Sequence, residues 1–213
     1  MPIAAVVFDF NGTLSDDEPV LCEIFMHLFA EHGKPLSAQE YFDRLAGLSD
    51  PEIVRTWLGN DHPDVETVID ERVSRYRAAA ADGSTVHAHV REAVRFAAER
   101  VPLGICSGAA RAEIEPVVEA AGLAALFRTI VSSDEIVHGK PDPEGYAQAL
   151  ATLGIDPADA LVVEDTEAGI ASARAAGVGR VLAMRGTLEP HRLAQADQLI
   201  DRLDVDVLRR CLS

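Results

Sequence analysis

A short apolar run near the start of the chain constrains its fold more than any other feature. Residues 3–8 are apolar, rich in valine and without polar alternation, which is typical of a strand buried on both faces of a parallel sheet. Asp9 ends the run, and Asn11-Gly12 follow. Ligands of open α/β sheets bind at the carboxyl ends of strands, so the pattern indicates that Asp9 is functional. The alternative is a tight hairpin turn at Asn11-Gly12.

Charge and length restrict the class of function. The 213 residues can form one substantial core and a smaller second unit. A net charge of -16 disfavours nucleic acid and anionic membrane as partners. It also favours a divalent cation at any site that takes an anionic substrate. No stretch approaches the roughly 20 apolar residues that span a bilayer.

The three cysteines are an odd set without the spacing of metal ligands. This pattern predicts that the cysteines are reduced thiols that pack in the interior of a cytoplasmic protein, and it predicts no zinc site. We expect a monomer or weak dimer.

Residues 15–83 show helical spacing of apolar positions and no convincing strand. Pro19 opens a helix that ends near Gly33, residues 37–40 form a capping-box pattern, and residues 49–51 begin a further helix. We predict a small helical bundle that packs on its own apolar faces. The rest, residues 1–14 plus 84–213, would form a discontinuous core.

The core segment alternates helix and strand after Val86. Apolar runs predict strands at residues 103–106, 129–131, 160–163 and 181–184, and helices lie between them. This alternation predicts an α/β fold with a parallel sheet covered on both faces.

Polar side chains follow four of the predicted strands or lie in the loop just beyond one: Asp9, Ser107, Lys140 and the pair Glu164-Asp165. Parallel strands would bring these residues to one edge of the sheet. Lys140 is one of only two lysines, in a chain that otherwise uses arginine, which indicates a need for a compact ammonium. The alternatives are helix caps at the serine and the aspartate, and a solvated loop lysine.

These motifs together resemble the haloacid dehalogenase superfamily of aspartyl-nucleophile phosphohydrolases, over nearly the whole chain. Residues 9–13 look like its first motif, Ser107 its second, Lys140-Pro141 its third, and Glu164-Asp165 with Gly169 its fourth. A helical insert directly after the first motif is similar to the branch with β-phosphoglucomutase and phosphoglycolate phosphatase. The resemblance implies a Rossmann-like parallel sheet core with an inserted all-helical cap.

The resemblance also implies a chemistry and a substrate class. Asp9 would attack the phosphorus of a small phosphorylated metabolite and form an aspartyl phosphate that water then hydrolyses. It further implies a set of Mg²⁺ ligands, namely Asp9, the backbone carbonyl of Asn11, Asp165 and, directly or through water, Glu164. The implied phosphate-binding residues are Thr13, Ser107, Gly108 and Lys140.

Asn11 departs from the family pattern, in which this position carries an aspartate that serves as general acid and base. A carboxamide has no proton to exchange at neutral pH, and such catalysis contributes roughly 10² to 10⁴ in rate. Substrates with good leaving groups would tolerate the loss, or Asp16, Asp17 or Asp50 would supply the proton. Two alternatives remain: a catalytically weak or silent protein that binds phosphorylated ligands, and a site in which Asn11 was engineered to trap an intermediate.

Substrate selection is expected from the cap segment Gly47-Leu48-Ser49-Asp50 and from Arg111, although a simple interhelical turn and a solvent-exposed arginine are the alternatives. Three related activities fit less well. A phosphonatase needs a cap lysine at the position of Asp50. A dehalogenase lacks an adjacent acidic pair such as Glu164-Asp165. A β-phosphoglucomutase carries a histidine at the position of Leu21. Phosphatase is the leading interpretation.

Overall fold

The computed structural model describes residues 2–186 and 188–213. Its strands form one six-stranded, wholly parallel sheet in the order β3-β2-β1-β4-β5-β6. The strands are β1 (Ala5–Phe8), β2 (Leu103–Cys106), β3 (Phe127–Val131), β4 (Ala160–Glu164), β5 (Arg180–Met184) and β6 (Gln198–Ile200). The predicted α/β fold is confirmed. The hairpin alternative is wrong, because both neighbours of β1 run parallel to it.

Five α-helices separate β1 from β2, and α-helices alternate with the strands from β2 to β5. The helices are α1 (Glu18–Glu31), α2 (Ala38–Arg44), α3 (Asp50–Leu58), α4 (Val65–Ala80), α5 (Ala88–Ala98), α6 (Arg111–Ala120), α7 (Glu144–Leu153), α8 (Glu167–Ala175) and α9 (Val205–Leu212). Among the described residues, no helix has the length and apolarity that a membrane span requires.

Strand β1 lies at the centre of the sheet and is fully buried. Val6 and Phe8 belong to one apolar cluster, whereas Val7 belongs to a second cluster. Successive side chains of a strand point to opposite faces, so the two clusters cover the two faces of the sheet. This double burial explains why the strand contains no polar residue before Asp9.

Helices α1 to α4 follow β1 without an intervening strand. The predicted capping box is present: Glu40 N–H donates to Ser37 Oγ at 3.3 Å, and Ser37 N–H donates to Glu40 Oε2 at 3.0 Å. The packing prediction was incomplete, because Phe29 and Tyr41 lie in the same continuous apolar cluster as Phe8. The helical segment and one face of the sheet therefore share a core. The limits 15–83 of a separate cap stay a prediction.

The three cysteines, Cys22, Cys106 and Cys211, are buried and free, as the sequence predicts. Strand β6 was not predicted. It is only three residues long and begins with an exposed glutamine, so it carries almost no apolar pattern. It is recognisable only by its pairing with β5.

Candidate active site

Asp9 lies directly beyond β1, and its position follows from the sheet register. Phe8 pairs with Val163 of β4, and Asp9 N–H donates to the Val163 carbonyl at 2.9 Å. The ends of β1 and β4 are therefore adjacent. Lys140 Nζ bridges them, because it donates to Asp9 Oδ1 and to Glu164 Oε1, each at 2.5 Å. Three of the residues predicted from separate strand ends thus meet in one place.

Glu164 is fixed by several donors. Tyr146 Oη donates to one carboxylate oxygen at 2.8 Å, and the N–H groups of Asp165 and Thr166 donate to the other at 2.9 and 3.1 Å. Gly169 leaves the necessary space, since a Cβ atom there would lie 1.8 Å from Glu164 Oε1. Tyr146 was missed by sequence reasoning, because a tyrosine inside an amphipathic helix resembles an ordinary core residue.

Three buried carboxylates, those of Asp9, Glu164 and Asp165, have oxygen atoms within 4.8 Å of one another. The pKa of Asp9 is raised to about 7, mainly by burial. The charge of Glu164 also raises this pKa, whereas the nearby Lys140 lowers it. Burial also lowers the pKa of Lys140, but its two carboxylate partners outweigh this and the net shift is upward. One ammonium therefore faces three carboxylates. An all-oxygen set with this excess of negative charge fits a hard divalent cation.

The alternative assignments of these residues are wrong. Ser107 is not the cap of α6, which begins after Ala110, and Thr166 rather than Asp165 caps α8. The side chain of Lys140 is only 14% exposed, so it is not a solvated loop residue.

The predicted phosphate-binding residues lie beyond β1 and β2. Ser107 is buried at the end of β2, where its N–H donates to the Val131 carbonyl and its Oγ accepts from Ala109 N–H at 3.1 Å. Gly108 is exposed, and a Cβ atom there would meet nothing within 4 Å. Thr13 is buried, and its hydroxyl has no hydrogen-bond partner within the described part of the chain. Their predicted role in phosphate binding stays a prediction.

Asn11 is held by a buried carboxylate. Its Nδ2 donates to Asp17 Oδ2 at 2.9 Å, and Gly12 N–H donates to Asp17 Oδ1 at 3.3 Å. Tyr76 of α4 donates its hydroxyl to the same Oδ2 atom. Burial raises the pKa of Asp17 to about 6, although these hydrogen bonds lower it. No signal in the sequence pointed to Tyr76, which is 59 residues from Asp17.

The other two candidate proton donors have different partners. Asp16 is exposed and pairs with His87 Nε2 at 2.9 Å. Asp50 accepts from the guanidinium of Arg72, which also donates to the buried Glu113 of α6. Of the three aspartates, Asp17 is the one whose side chain is hydrogen-bonded to Asn11.

The predicted specificity segment lies against the fourth motif. Gly47 has φ of +82°, and a Cβ atom there would lie 3.5 Å from Leu188 and 3.6 Å from Thr166, the residue after Asp165. Leu48 is partly exposed, and Ser49 N–H donates to Glu52 at 3.0 Å as α3 begins. The segment is therefore an interhelical turn that also lies next to Thr166, at the sheet edge that carries Glu164 and Asp165.

Arg111 is held at the end of β3. Its guanidinium donates to the Ile130 carbonyl and to Glu135, both at 2.6 Å, and its N–H donates to Asp134 at 2.7 Å. These contacts give it a structural role in the described chain. Its substrate role stays a prediction.

A cavity of about 650 Å³ opens beside the first-motif loop. This volume is in the range that holds a small metabolite. Both acidic and basic side chains line it, among them Asp16, Glu18, His87, His89, Arg185 and Arg202. Sequence reasoning did not select the two arginines, which follow β5 and β6.

Comparison with known proteins agrees with this geometry. The family model described as haloacid dehalogenase-like hydrolase matches residues 6–183. N-acetylmuramic acid 6-phosphate phosphatase of Pseudomonas aeruginosa is 31% identical over 221 residues, covering 100% of this chain and 97% of that protein. Validoxylamine A 7'-phosphate phosphatase of Streptomyces hygroscopicus subsp. limoneus is 30% identical over 205 residues, covering 92% of each.

A solved structure has a similar fold. A crystal structure of a mutant of CbbY from Rhodobacter sphaeroides, in complex with xylulose-1,5-bisphosphate, matches with a TM-score of 0.83 and 25% identity, covering 94% of this chain and 95% of that one. The match of the family model over most of the chain confirms the resemblance inferred from the four motifs. The chain belongs to the haloacid dehalogenase-like hydrolase family.

Proposed function

We propose that the chain is a Mg²⁺-dependent phosphatase that hydrolyses a small organophosphate monoester through an aspartyl phosphate on Asp9. The observation that carries the proposal is the position of the Asp9 carboxylate, which accepts a hydrogen bond from the Lys140 ammonium and lies within 4.8 Å of the carboxylates of Glu164 and Asp165. Two relatives, named as phosphatases of N-acetylmuramic acid 6-phosphate and of validoxylamine A 7'-phosphate, support the substrate class.

The first step forms a bond between an Asp9 oxygen and phosphorus while the bond to the leaving oxygen breaks. Lys140 offsets the charge of the attacking carboxylate and of the phosphoryl oxygens. Ser107 and the N–H of Gly108 donate to the phosphoryl group. Water then attacks phosphorus, releases inorganic phosphate and restores the Asp9 carboxylate.

The proposed Mg²⁺ would be held by Asp9, Asp165, the backbone carbonyl of Asn11 and, directly or through water, Glu164. When bound, the ion neutralises charge where two anions must approach each other. Tyr146 and the two backbone N–H groups at Glu164 hold that carboxylate in place for this task.

Asn11 determines which substrates react fast. Its carboxamide donates hydrogen bonds but transfers no proton, so the leaving oxygen must take its proton from solvent. Acyl and aryl phosphates need this proton least, because their leaving groups are stable anions. We therefore expect them to be cleaved faster than sugar phosphates.

Phosphate release from acetyl phosphate, p-nitrophenyl phosphate and a panel of sugar phosphates, with Mg²⁺ and with EDTA, tests the proposal. Wild type should require Mg²⁺, Asp9→Asn should be inactive, and Asn11→Asp should gain activity on the sugar phosphates. Asp206→Asn is the matched control, since this carboxylate is exposed and pairs with Arg209. Turnover that survives in Asp9→Asn would refute the phosphoenzyme.

One observation favours a second function. Asn11 removes the usual acid and base while the cradle around Asp9 is retained, which suits a protein that binds phosphorylated ligands without turnover. Ligand binding by calorimetry, combined with no phosphate release from any substrate, would support this alternative.

The net charge of -16 supports a small metabolite as partner, and we expect a cytoplasmic monomer or weak dimer.

A further inference from the structure

The Asn11 carboxamide is part of a buried hydrogen-bond network that the proposed reaction does not use. Asp17 and Tyr76 are fully buried. Asp17 Oδ2 accepts from Asn11 Nδ2 at 2.9 Å and from the Tyr76 hydroxyl, while its Oδ1 accepts from Gly12 N–H at 3.3 Å. The network joins the loop after β1 to helix α4 of the helical segment.

This network specifies one orientation of the amide. A carboxylate accepts hydrogen bonds and does not donate them, so Asn11 must present its NH₂ group to Asp17. The carbonyl Oδ1 is then directed away from Asp17. Rotation of the amide by 180° would exchange the NH₂ group with Oδ1 and turn Oδ1 toward the carboxylate, where it has no donor. Tyr76 and Gly12 are also donors, so none of the three groups competes as an acceptor.

We propose that Asp17 and Tyr76 are positioning residues that hold the Asn11 carboxamide in a single orientation for phosphoryl transfer, an inference that rests on the proposed phosphatase function. Tyr76 lies on α4, so the orientation of Asn11 depends on the position of the helical segment. A correctly oriented amide presents the same donor and acceptor to the substrate in every cycle, whereas a rotating amide does so in a fraction of them.

Kinetics test the inference through coupling between residues. Asp17→Asn introduces a side chain that both donates and accepts, so the Asn11 amide can adopt either orientation against it. We expect kcat to fall about 10-fold with little change in KM, which corresponds to the loss of about one hydrogen bond. Tyr76→Phe should lower kcat about 3-fold, because it removes one of the donors to the Asp17 carboxylate. In the Asn11→Ala background, Asp17→Asn should have no further effect on kcat.

Tyr41→Phe is the matched control. Tyr41 is also buried on a helix of the same segment, and its hydroxyl donates to a carboxylate, that of Glu18, at 2.9 Å. This pair has no hydrogen bond to Asn11 among the described contacts, so kcat should not change. A loss in Tyr41→Phe equal to that in Tyr76→Phe would indicate a general effect on folding and would overturn the inference.

A second readout does not depend on turnover. Asn11 and Asn60 are the only asparagines in the sequence, so selective ¹⁵N-asparagine labelling gives two side-chain NH₂ groups. Asn60 is exposed and serves as the internal reference. In wild type we expect the Asn11 amide protons to exchange with solvent at least about 10-fold more slowly than those of Asn60. Asp17→Asn and Tyr76→Phe should reduce this difference.

The two proposals fail in different ways. The inference is overturned if Asp17→Asn lowers kcat equally with and without the Asn11 side chain, or if the two asparagines exchange alike in wild type. Wild type without any Asp9-dependent turnover would overturn the phosphatase proposal instead. The exchange measurement would still decide whether Asp17 and Tyr76 hold the amide.

Discussion

Replacing Arg72 with methionine should destabilise the protein strongly, because it removes the cation that joins α4 to α6. The Arg72 guanidinium is 4% exposed and donates to both Asp50 and Glu113. Glu113 is 1% exposed and also accepts from Ala110 N–H at 3.1 Å, so it cannot move to solvent without uncapping α6. Arg72→Met therefore leaves a buried carboxylate without its cation.

Breaking a buried ion pair from one side costs about 3–5 kcal/mol. Asp50 adds little to this cost, because its side chain is 22% exposed and water can solvate it. Arg75 provides the control on the same helix, since it pairs with Glu31 and Glu71, whose side chains are 56% and 44% exposed. Such surface pairs contribute about 0–1 kcal/mol, so Arg75→Met should be nearly neutral.

Urea unfolding at pH 7, followed by circular dichroism, measures both variants. With a slope of about 2 kcal/mol per molar urea, the expected loss for Arg72→Met lowers the midpoint by about 1.5–2.5 M. The double variant Arg72→Met with Glu113→Gln should recover most of the loss, because the uncompensated charge is gone. The reasoning is refuted if Arg72→Met is as mild as Arg75→Met, or if the double variant is less stable than the single one.

Three further outcomes follow from the same structure. Burial raises the pKa of Glu18 from 4.5 to about 7. The free energy of unfolding should therefore fall by up to about 3 kcal/mol as the pH rises from about 4.5 to 7. Glu18→Gln should remove this loss, as measured by urea unfolding at pH 5 and pH 8. A stability difference between wild type and Glu18→Gln that is the same at both pH values would contradict the raised pKa of Glu18. Gly169→Ala should destabilise by about 1–3 kcal/mol despite better helix propensity, because its Cβ would lie 1.8 Å from Glu164 Oε1; Gly139→Ala, with open space around it, should be neutral by the same assay. Mg²⁺ at about 100 times its Kd should add about 2.7 kcal/mol to wild type in urea unfolding and much less to Asp165→Asn; equal gains would place the ion elsewhere.

Local signals in the sequence predicted much of the fold. Ser37 and Glu40 satisfy each other within one helical turn, so four residues are enough to locate the start of α2. The apolar run before Asp9 is equally local, since burial on both faces removes every polar residue from β1. Strand β6 has no such signal, because it is three residues long and, among the described strands, pairs with β5 alone.

The site divides in the same way. Residues such as Asp9 and Glu164 could be predicted because each directly follows or ends an apolar strand, and parallel strands end at one edge. The contact of Asp17 with Tyr76, and that of Arg72 with Glu113, join residues 59 and 41 positions apart. Periodicity within one helix does not specify which distant helix it faces. These partners therefore required the structure.

The scarcity of lysine makes the surroundings of Lys140 observable in solution. Reductive ¹³C-methylation keeps the positive charge of an amine and adds methyl groups that are visible by NMR. Besides any terminal amine, this chain offers only Lys34 and Lys140. Lys34 is exposed, whereas Lys140 is bound to two buried carboxylates. Lys34 should react at once, and the rate at which Lys140 is methylated should report how often its hydrogen bonds to Asp9 and Glu164 open.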